Sequence, residues 1–345
     1  MRVLHVISEM GTGGAEALVA GMVRCGEDFG WESAVASGGG HRADALTVPT
    51  FDVPVARRSL LGVARSASAT RNAYRTFRPD VVLAHNVKAS ATARLAMVPG
   101  RRVPLVTVFH GVASTDFRNA ARVLRRTSDA VVAVASATAE RLRSAGLRSP
   151  VVIRNAVFPS PAVADRATVR AALGASSDVP VALCLARMEP QKRHDLLLRA
   201  WESVDGELWL AGDGSLRAEL EQQSGDRVRF LGNRSDVADL LAAADVTVLT
   251  SDWEGLPIAV LESLAAGRPV VATDVDGVRE ALAGGGGLVV PRGDVKAIAS
   301  ALRSLLSNPD ARASVAALGL VAVQRDHDPH ALMKSYDELL RGRLS

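Results

Sequence analysis

The sequence predicts two α/β domains in series, each a doubly wound parallel sheet. Three observations carry that reading. The chain has 345 residues, more than one hydrophobic core usually organises, so two domains of about 150–180 residues are expected. Short runs of Val, Leu and Ala alternate with longer amphipathic stretches, the pattern of parallel strands covered by helices on both faces. Aromatic residues make up only 4%. Small aliphatic side chains must therefore fill the layers, which suits α/β packing better than a β-sandwich.

In the first half, strands are expected at 2–7, 33–37, 81–84, 104–109, 129–134 and 150–153. Amphipathic stretches at 15–26, 63–77 and 136–146 lie between several of them. The pattern loosens from Pro159-Ser160-Pro161 to Ser176-Ser177-Asp178, where a linker and the start of the second domain are placed. The second half repeats the plan, with strands at Val181–Leu185, Glu207–Ala211, Val228–Leu231, Val246–Thr250, Val270–Ala272 and Leu288–Val290. Helices are expected near 193–204, 215–222, 236–243, 257–266 and 295–306, with a last one near 330–342. The domains are accordingly set at 1–163 and 164–330, and residues 331–345 form a C-terminal helical segment free to pack back on the first domain. Ligands of such sheets lie beyond the carboxyl ends of the strands. The two domains are expected to face one another across a cleft.

Composition excludes several classes. With 48% hydrophobic and 23% charged residues the chain reads as globular rather than disordered. Cys25 and Cys184 suggest no disulfide framework and cannot make a thiolate-rich zinc site, so a reducing cytoplasm is the default. The apolar run Val3–Ile7 is too short for a secretory signal, and no stretch reaches the roughly 18 apolar residues of a membrane span. Residues 1–165 carry 21 basic and 12 acidic side chains, whereas the remainder carries 20 and 25. Basic residues cluster at Arg118–Arg126 and Arg141–Arg148. Such a face suits an anionic acceptor or the inner face of the plasma membrane, or is simply solvated. Nucleic acid is not expected, because no aromatic platform accompanies the charge.

Polar residues at the predicted strand ends are the candidate site. Gly11-Thr12-Gly13-Gly14-Ala15-Glu16 follows the first strand and opens a helix, where glycine allows close backbone approach. Glu16 stands where a dinucleotide fingerprint needs its third glycine, and its carboxylate would oppose a pyrophosphate. His110 follows a buried strand and can donate to a sugar or move a proton. His85-Asn86 occupies a similar place, and Arg154-Asn155 lies near the hinge. The seven histidines form no metal-ligand pattern.

In the second half, Arg187 and Lys192 follow a strand, and two fixed cations suit a diphosphate. Arg193 is expected to face solvent. Gly212-Asp213-Gly214 marks another strand–turn–helix junction with room for a nucleotide, and Ser215 is a candidate N-cap. The strongest segment is Asp252-Trp253-Glu254-Gly255-Leu256-Pro257, continuing through Glu262 to Gly267. Pro257 fits a first helical turn. Glu254 then lies in the preceding loop and Glu262 about 7–8 Å along the axis. That separation suits two parts of one long ligand: Glu254 for sugar hydroxyls and Glu262 for a ribose.

These residues resemble the group-1, or family 4, retaining glycosyltransferases of the GT-B fold. The likeness spans essentially the whole chain and is strongest from Ala186 to Asp294. Glu254 and Glu262 match the family's paired glutamates, Arg187 and Lys192 its diphosphate-binding pair, and Gly13, Gly14 and Glu16 its first glycine loop. His110 matches its strand-end histidine. The chain departs from the pattern at Ala156, at Arg193 where Gly is frequent, and at Leu256-Pro257 in place of Phe-Gly. The resemblance implies transfer of a hexosyl-type sugar from a nucleoside diphosphate sugar, UDP favoured, to a hydroxyl of a glycan, glycolipid or small molecule. It implies front-side attack without a metal or other cofactor. The donor set it carries over is Gly13, Gly14, Glu16, Arg187, Lys192, Gly212, Glu254, Gly255, Leu256 and Glu262, with His110 at the sugar. A nucleotide-sugar epimerase or dehydrogenase would need a better dinucleotide loop and a Tyr/Lys or Cys centre, which neither Tyr74 nor Tyr336 supplies. A noncatalytic nucleotide- or carbohydrate-binding protein would not need all four of Arg187, Lys192, Glu254 and Glu262.

Overall fold

The computed structural model describes residues 1–54, 60–97, 102–158, 160 and 162–344. They form two compact units, one of residues 1–156 with 329–345 and the other of residues 157–328. The sequence places the corresponding changes at 163/164 and 330/331.

The first unit is built on strands β1 (Arg2–Val6), β2 (Glu32–Ser37), β3 (Thr50–Asp52), β4 (Val81–Ala84), β5 (Leu105–Phe109), β6 (Ala130–Ala133) and β7 (Val151–Val152). Their order is β3-β2-β1-β4-β5-β6-β7, and every pairing is parallel. Helices α1 (Gly14–Gly26), α2 (His41–Asp44), α3 (Leu60–Phe77), α4 (Val87–Ala96), α5 (Phe117–Thr127) and α6 (Ser136–Ser144) connect them. Strands β1, β4 and β5 are buried on both faces, which is why they read as unbroken apolar runs. Strand β3 escapes the sequence pattern because it is a three-residue edge strand with an exposed, partly buried, exposed sequence. Helices α4 and α5 are also additions. Asn86 caps α4 by accepting the Ala89 amide at 2.7 Å, so this strand-end asparagine has a backbone task.

The second unit begins with α7 (Arg166–Ala172), then β8 (Val181–Leu185), α8 (His194–Trp201), β9 (Glu207–Ala211), α9 (Arg217–Gln223) and β10 (Val228–Gly232). It continues with α10 (Val237–Ala243), β11 (Val246–Leu249), α11 (Ile258–Ala265), β12 (Val270–Thr273), α12 (Asp276–Ala281), β13 (Gly287–Val290), α13 (Val295–Leu306) and α14 (Pro309–Asp326). The strand order is β10-β9-β8-β11-β12-β13, again wholly parallel.

Helix α7 occupies the stretch that the sequence marks as linker. The polar composition there is capping and anchoring chemistry. Asp165 accepts the Thr168 amide. Arg170, 2% exposed, donates to Asp245 at 2.8 Å and to the carbonyls of Ser176, Ser177, Val179 and Ala243. Asp245 also takes Arg166 at 2.8 Å. A buried charge is tolerable only with such partners.

The last helix, α15 (Pro329–Arg341), returns to the first unit. It buries Leu332, Met333, Tyr336 and Leu340. Asp337 accepts from the Trp31 indole at 2.8 Å, and Arg341 donates to the Phe29 carbonyl at 2.9 Å. Cys25 and Cys184 are both free thiols.

Candidate functional site

In each sheet the strand order reverses once, between β1 and β4 in the first unit and between β8 and β11 in the second. Loops diverge at such a switch and leave a crevice beyond the carboxyl ends of the two strands. The candidate residues gather at these two places.

At the first switch three histidines stand in a row. His5 lies within β1, and His85 and His110 immediately follow β4 and β5. The His5 and His85 rings stack at 5.4 Å, with Nδ1 of His5 3.1 Å from Nε2 of His85. His85 stacks on His110 at 6.1 Å. Nε2 of His5, Nδ1 of His85 and Nε2 of His110 are buried without a hydrogen-bond partner. Burial pushes His5 and His110 down to about 4. It also depresses His85, helped by its two neighbours. All three rings are therefore neutral at physiological pH, and His110 is a neutral hydrogen-bonding group at the end of β5.

The glycine loop follows β1. Gly13 is the N-cap position of α1, and a Cβ there would lie 2.0 Å from Oε2 of Glu16. The Glu16 carboxylate thus folds back over the helix start into the space beside Gly13. A negative side chain placed there satisfies the helix dipole and counts against a dinucleotide pyrophosphate in the same place.

At the second switch, the loop after β8 (Ala186–Arg193) and the loop after β11 (Thr250–Pro257) are laced together. Nζ of Lys192 lies 2.5 Å from Oε1 of Glu254, with 16% and 9% of the two side chains exposed. The same carboxylate oxygen accepts from Ser251 Oγ at 2.6 Å. Gln191 donates to the Trp253 carbonyl at 2.7 Å, and the Asp252 amide donates to the Gln191 carbonyl at 2.9 Å. Thr250 Oγ1 donates to the carbonyls of Lys192 and Arg193. Arg187, at the start of the first of these loops, is exposed, and its guanidinium has no partner among the described residues. An unpaired cation next to a paired one is a receptive arrangement for an anion.

Four details of the sequence reading change. Arg193 does not simply face solvent: its guanidinium forks onto Asp195 and reaches Asp252. Ser215 is not an N-cap but donates to Glu189 at 2.8 Å, and the cap position of α9 belongs to Leu216. Pro257 is the extended cap residue of α11 rather than its first helical residue. Gly212 and Gly214 have a backbone reason to be glycine, since a Cβ would lie 2.1 Å from the Ala186 carbonyl oxygen and 2.4 Å from that of Met188. They let the loop after β9 lie directly on the loop after β8.

Glu262 is half-buried on α11. Gly255 and Leu256 are held by close packing: a Cβ on Gly277 would lie 1.5 Å from the Gly255 carbonyl oxygen. Behind the lattice, buried Cys184 faces His194, with Sγ 3.7 Å from Nε2. Burial raises the thiol to about 12 and lowers the imidazole to about 4, so this pair is neutral as well. Among the described residues no group of three or more His, Cys, Asp or Glu side chains is placed to hold a metal ion.

Comparison with known proteins assigns the family. The model described as Glycosyltransferase Family 4 matches residues 12–160, and that described as Glycosyl transferases group 1 matches residues 179–308. The chain belongs to the group-1, family 4 glycosyltransferases. It is 32% identical over 226 residues to the lipopolysaccharide core biosynthesis glycosyltransferase LpsE of Rhizobium meliloti, a match covering 63% of this chain and 66% of the relative. It is 27% identical to LpsD of the same organism across 98% of both chains. The structure of Anabaena HepE in complex with UDP and glucose matches with a TM-score of 0.85, 23% identity, and coverage of 99% of this chain and 100% of the other. This glycosyltransferase has the GT-B fold, two Rossmann-like parallel-sheet domains, and the two family matches fall essentially one on each unit.

The sequence missed the histidine row and the Arg193–Asp252 tie. His5 is a mid-strand residue and gave no signal. The adjacency of β1, β4 and β5 creates the row, and strand order is not written in local patterning.

Proposed function

We propose that the protein transfers a hexosyl-type sugar from a nucleoside diphosphate sugar to a hydroxyl of a glycan, glycolipid or small-molecule acceptor, with retention of anomeric configuration. The carrying observation is the Lys192–Glu254 pair at the second switch, with the exposed, unpartnered guanidinium of Arg187 on the same loop as Lys192. Donor binding exchanges the internal ion pair for ligand contacts. Lys192 and Arg187 take the diphosphate, and Glu254 takes sugar hydroxyls. Glu262 takes the ribose hydroxyls, and His110 donates to the sugar.

In the reaction the bond from the anomeric carbon to the diphosphate oxygen breaks, and the acceptor oxygen bonds to the same face of that carbon. The acceptor proton passes to the departing diphosphate oxygen. Charge grows on that leaving group, and Arg187 and Lys192 offset it. Preorganised cations of this kind are worth roughly 10²–10³ in rate each. They make a resident metal unnecessary, so activity is expected to survive chelation. UDP is the favoured nucleotide, supported by the UDP-bound HepE structure. A glycolipid or polysaccharide acceptor is supported by the lipopolysaccharide core relatives.

Peripheral attachment to an anionic membrane from the cytoplasmic side is part of the same reading. Helix α5 buries Phe117, Ala120, Ala121 and Leu124 and exposes Arg118, Arg122, Arg125 and Arg126. No helix among the described residues is long and apolar enough to cross a membrane. An electrostatic face gives binding that weakens with salt.

The test is a panel of UDP-, GDP- and ADP-sugars with lipid, glycan and small-molecule acceptors, read by mass spectrometry and anomeric NMR. A new glycosidic bond of the donor's own anomeric configuration is expected, in EDTA as in its absence. An inverted product, or reversible loss on chelation, refutes the mechanism. Co-sedimentation with vesicles containing phosphatidylglycerol, but not with phosphatidylcholine alone, tests the basic face. Equal binding to both rejects it.

A further inference from the structure

The chain changes hand at Arg193. Its φ of 52° and ψ of 44° place this non-glycine residue in the left-handed region, at the junction between the 3₁₀ turn Pro190–Lys192 and α8. Glycine takes that conformation without penalty, and an L side chain does not. A side chain at such a position needs a reason. Here Nε and Nη2 of Arg193 fork onto the two carboxylate oxygens of Asp195 at 3.0 and 2.9 Å, which fixes the guanidinium plane. The fixed guanidinium then sets Nη1 3.3 Å from both carboxylate oxygens of Asp252.

Asp252 lies two residues before Glu254, and Arg193 directly follows Lys192. Two rungs, Lys192–Glu254 and Arg193–Asp252, therefore join the same two loops. They differ in what a donor would do to them. The first rung must open if its two charges are to reach diphosphate and sugar. The second has no such task, and half-exposed Asp252 remains available to hold the loop while the first is exchanged.

We propose that Arg193 is a positioning residue, whose ion pair with Asp252 keeps the two donor loops in register when the Lys192–Glu254 pair opens to take the donor. This rests on the donor-site reading above. It accounts for an arginine occupying a position where glycine is conformationally easiest. Asp195 is the orienting partner and Asp252 the working one.

The position provides an unusual test, because Arg193→Gly relieves the backbone while cutting the rung. The expected result is a melting temperature equal to or above that of the parent, together with a kcat/KM for the nucleotide sugar lowered about tenfold, mainly through the donor KM. Asp252→Asn cuts the same rung from the other side without touching the left-handed residue. It should give a similar loss, and the double variant should lose no more than either single one. Arg193→Lys keeps the charge but not the fork and should fall between parent and glycine variant. Parent-like donor kinetics in Arg193→Gly, or additive losses in the double variant, overturn the proposal. So does a loss that simply follows a lowered melting temperature. Lys192→Ala is measured in parallel. If it too has parent-like kinetics, the donor-site reading fails. If it is inactive while Arg193→Gly is normal, only the positioning role fails.

Discussion

The two switch points solve the same problem with opposite chemistry. Across β1, β4 and β5 the first unit sets a row of neutral, stacked imidazoles, with burial holding His5 and His110 down to about 4. Beyond β8 and β11 the second unit sets full charges in pairs, Lys192 with Glu254 and Arg193 with Asp252. The difference suits the ligand parts proposed for each. A sugar offers neutral hydroxyls, and a neutral ring can donate to them without a competing counter-ion. A diphosphate is strongly anionic and demands fixed cations. Lys192 is held in place without donor by Glu254 on the neighbouring loop, whereas Arg187 is exposed. In the proposed function the Lys192–Glu254 pair exchanges for donor contacts, while the Arg193–Asp252 pair holds the two loops together.

The comparison can be broken most severely at the charged site. Lys192→Ala should lower transfer about 100-fold or more, since one fixed cation on the leaving group is lost. A drop below threefold in a steady-state assay removes Lys192 from the mechanism. Stability gives the next largest effect. The sequence alone suggests that Lys192→Ala and Glu254→Ala both leave folding largely intact. The structure argues otherwise, because each single truncation strands a charge that is mostly buried. A cost of about 3 kcal/mol is expected for either one. The double alanine variant should be more stable than the Glu254→Ala and Lys192→Ala variants in urea titrations. Additive losses would show that the two groups do not act as a pair.

The neutral site makes its prediction through pH. His5 of that site and His194 of the second unit are both buried, and each is held down to about 4 against an ordinary value of 6.5. Above 6.5 neither state binds the proton, and the stability is fully present. As pH falls from 6.5 toward 4 the unfolded chain protonates and the folded one resists. Stability is then lost at about 1.4 kcal/mol per histidine for each pH unit. Melting temperature should fall through that window, and His5→Phe should flatten the slope. A constant melting temperature between pH 7 and pH 5 would contradict the buried neutral row. The smallest expected effect concerns activity itself: with His110 neutral above about 5, its protonation should give no inflection in the rate between pH 5.5 and pH 8. A bell with a limb near 6.5 that vanishes in His110→Asn would show a titrating ring instead.

Much of this was legible in the residues. Buried parallel strands are continuous apolar runs, so β1, β4, β5, β8, β9 and β11 announce themselves, as does the alternation with helices. The glutamates on either side of Pro257 and the cations after β8 were legible as types suited to a donor. Strand β3 was not, because an exposed edge strand of three residues carries no apolar run. Helix α7 was hidden because Asp165 and its arginines look like linker composition until their partner, Asp245, is known. The reasons for Gly212 and Gly214 were likewise hidden, since the obstructing carbonyls belong to another loop.

The sequence by itself determined the two-domain α/β plan, the family and the kinds of side chain at the strand ends, because hydrophobic period and short motifs are local. Tertiary structure alone decided the partnerships. Lys192 and Glu254 are 62 residues apart and His5 and His85 are 80 apart. Only the order of strands across each sheet brings them within hydrogen-bonding distance. That order is set by the packing of whole layers, and no local pattern encodes it.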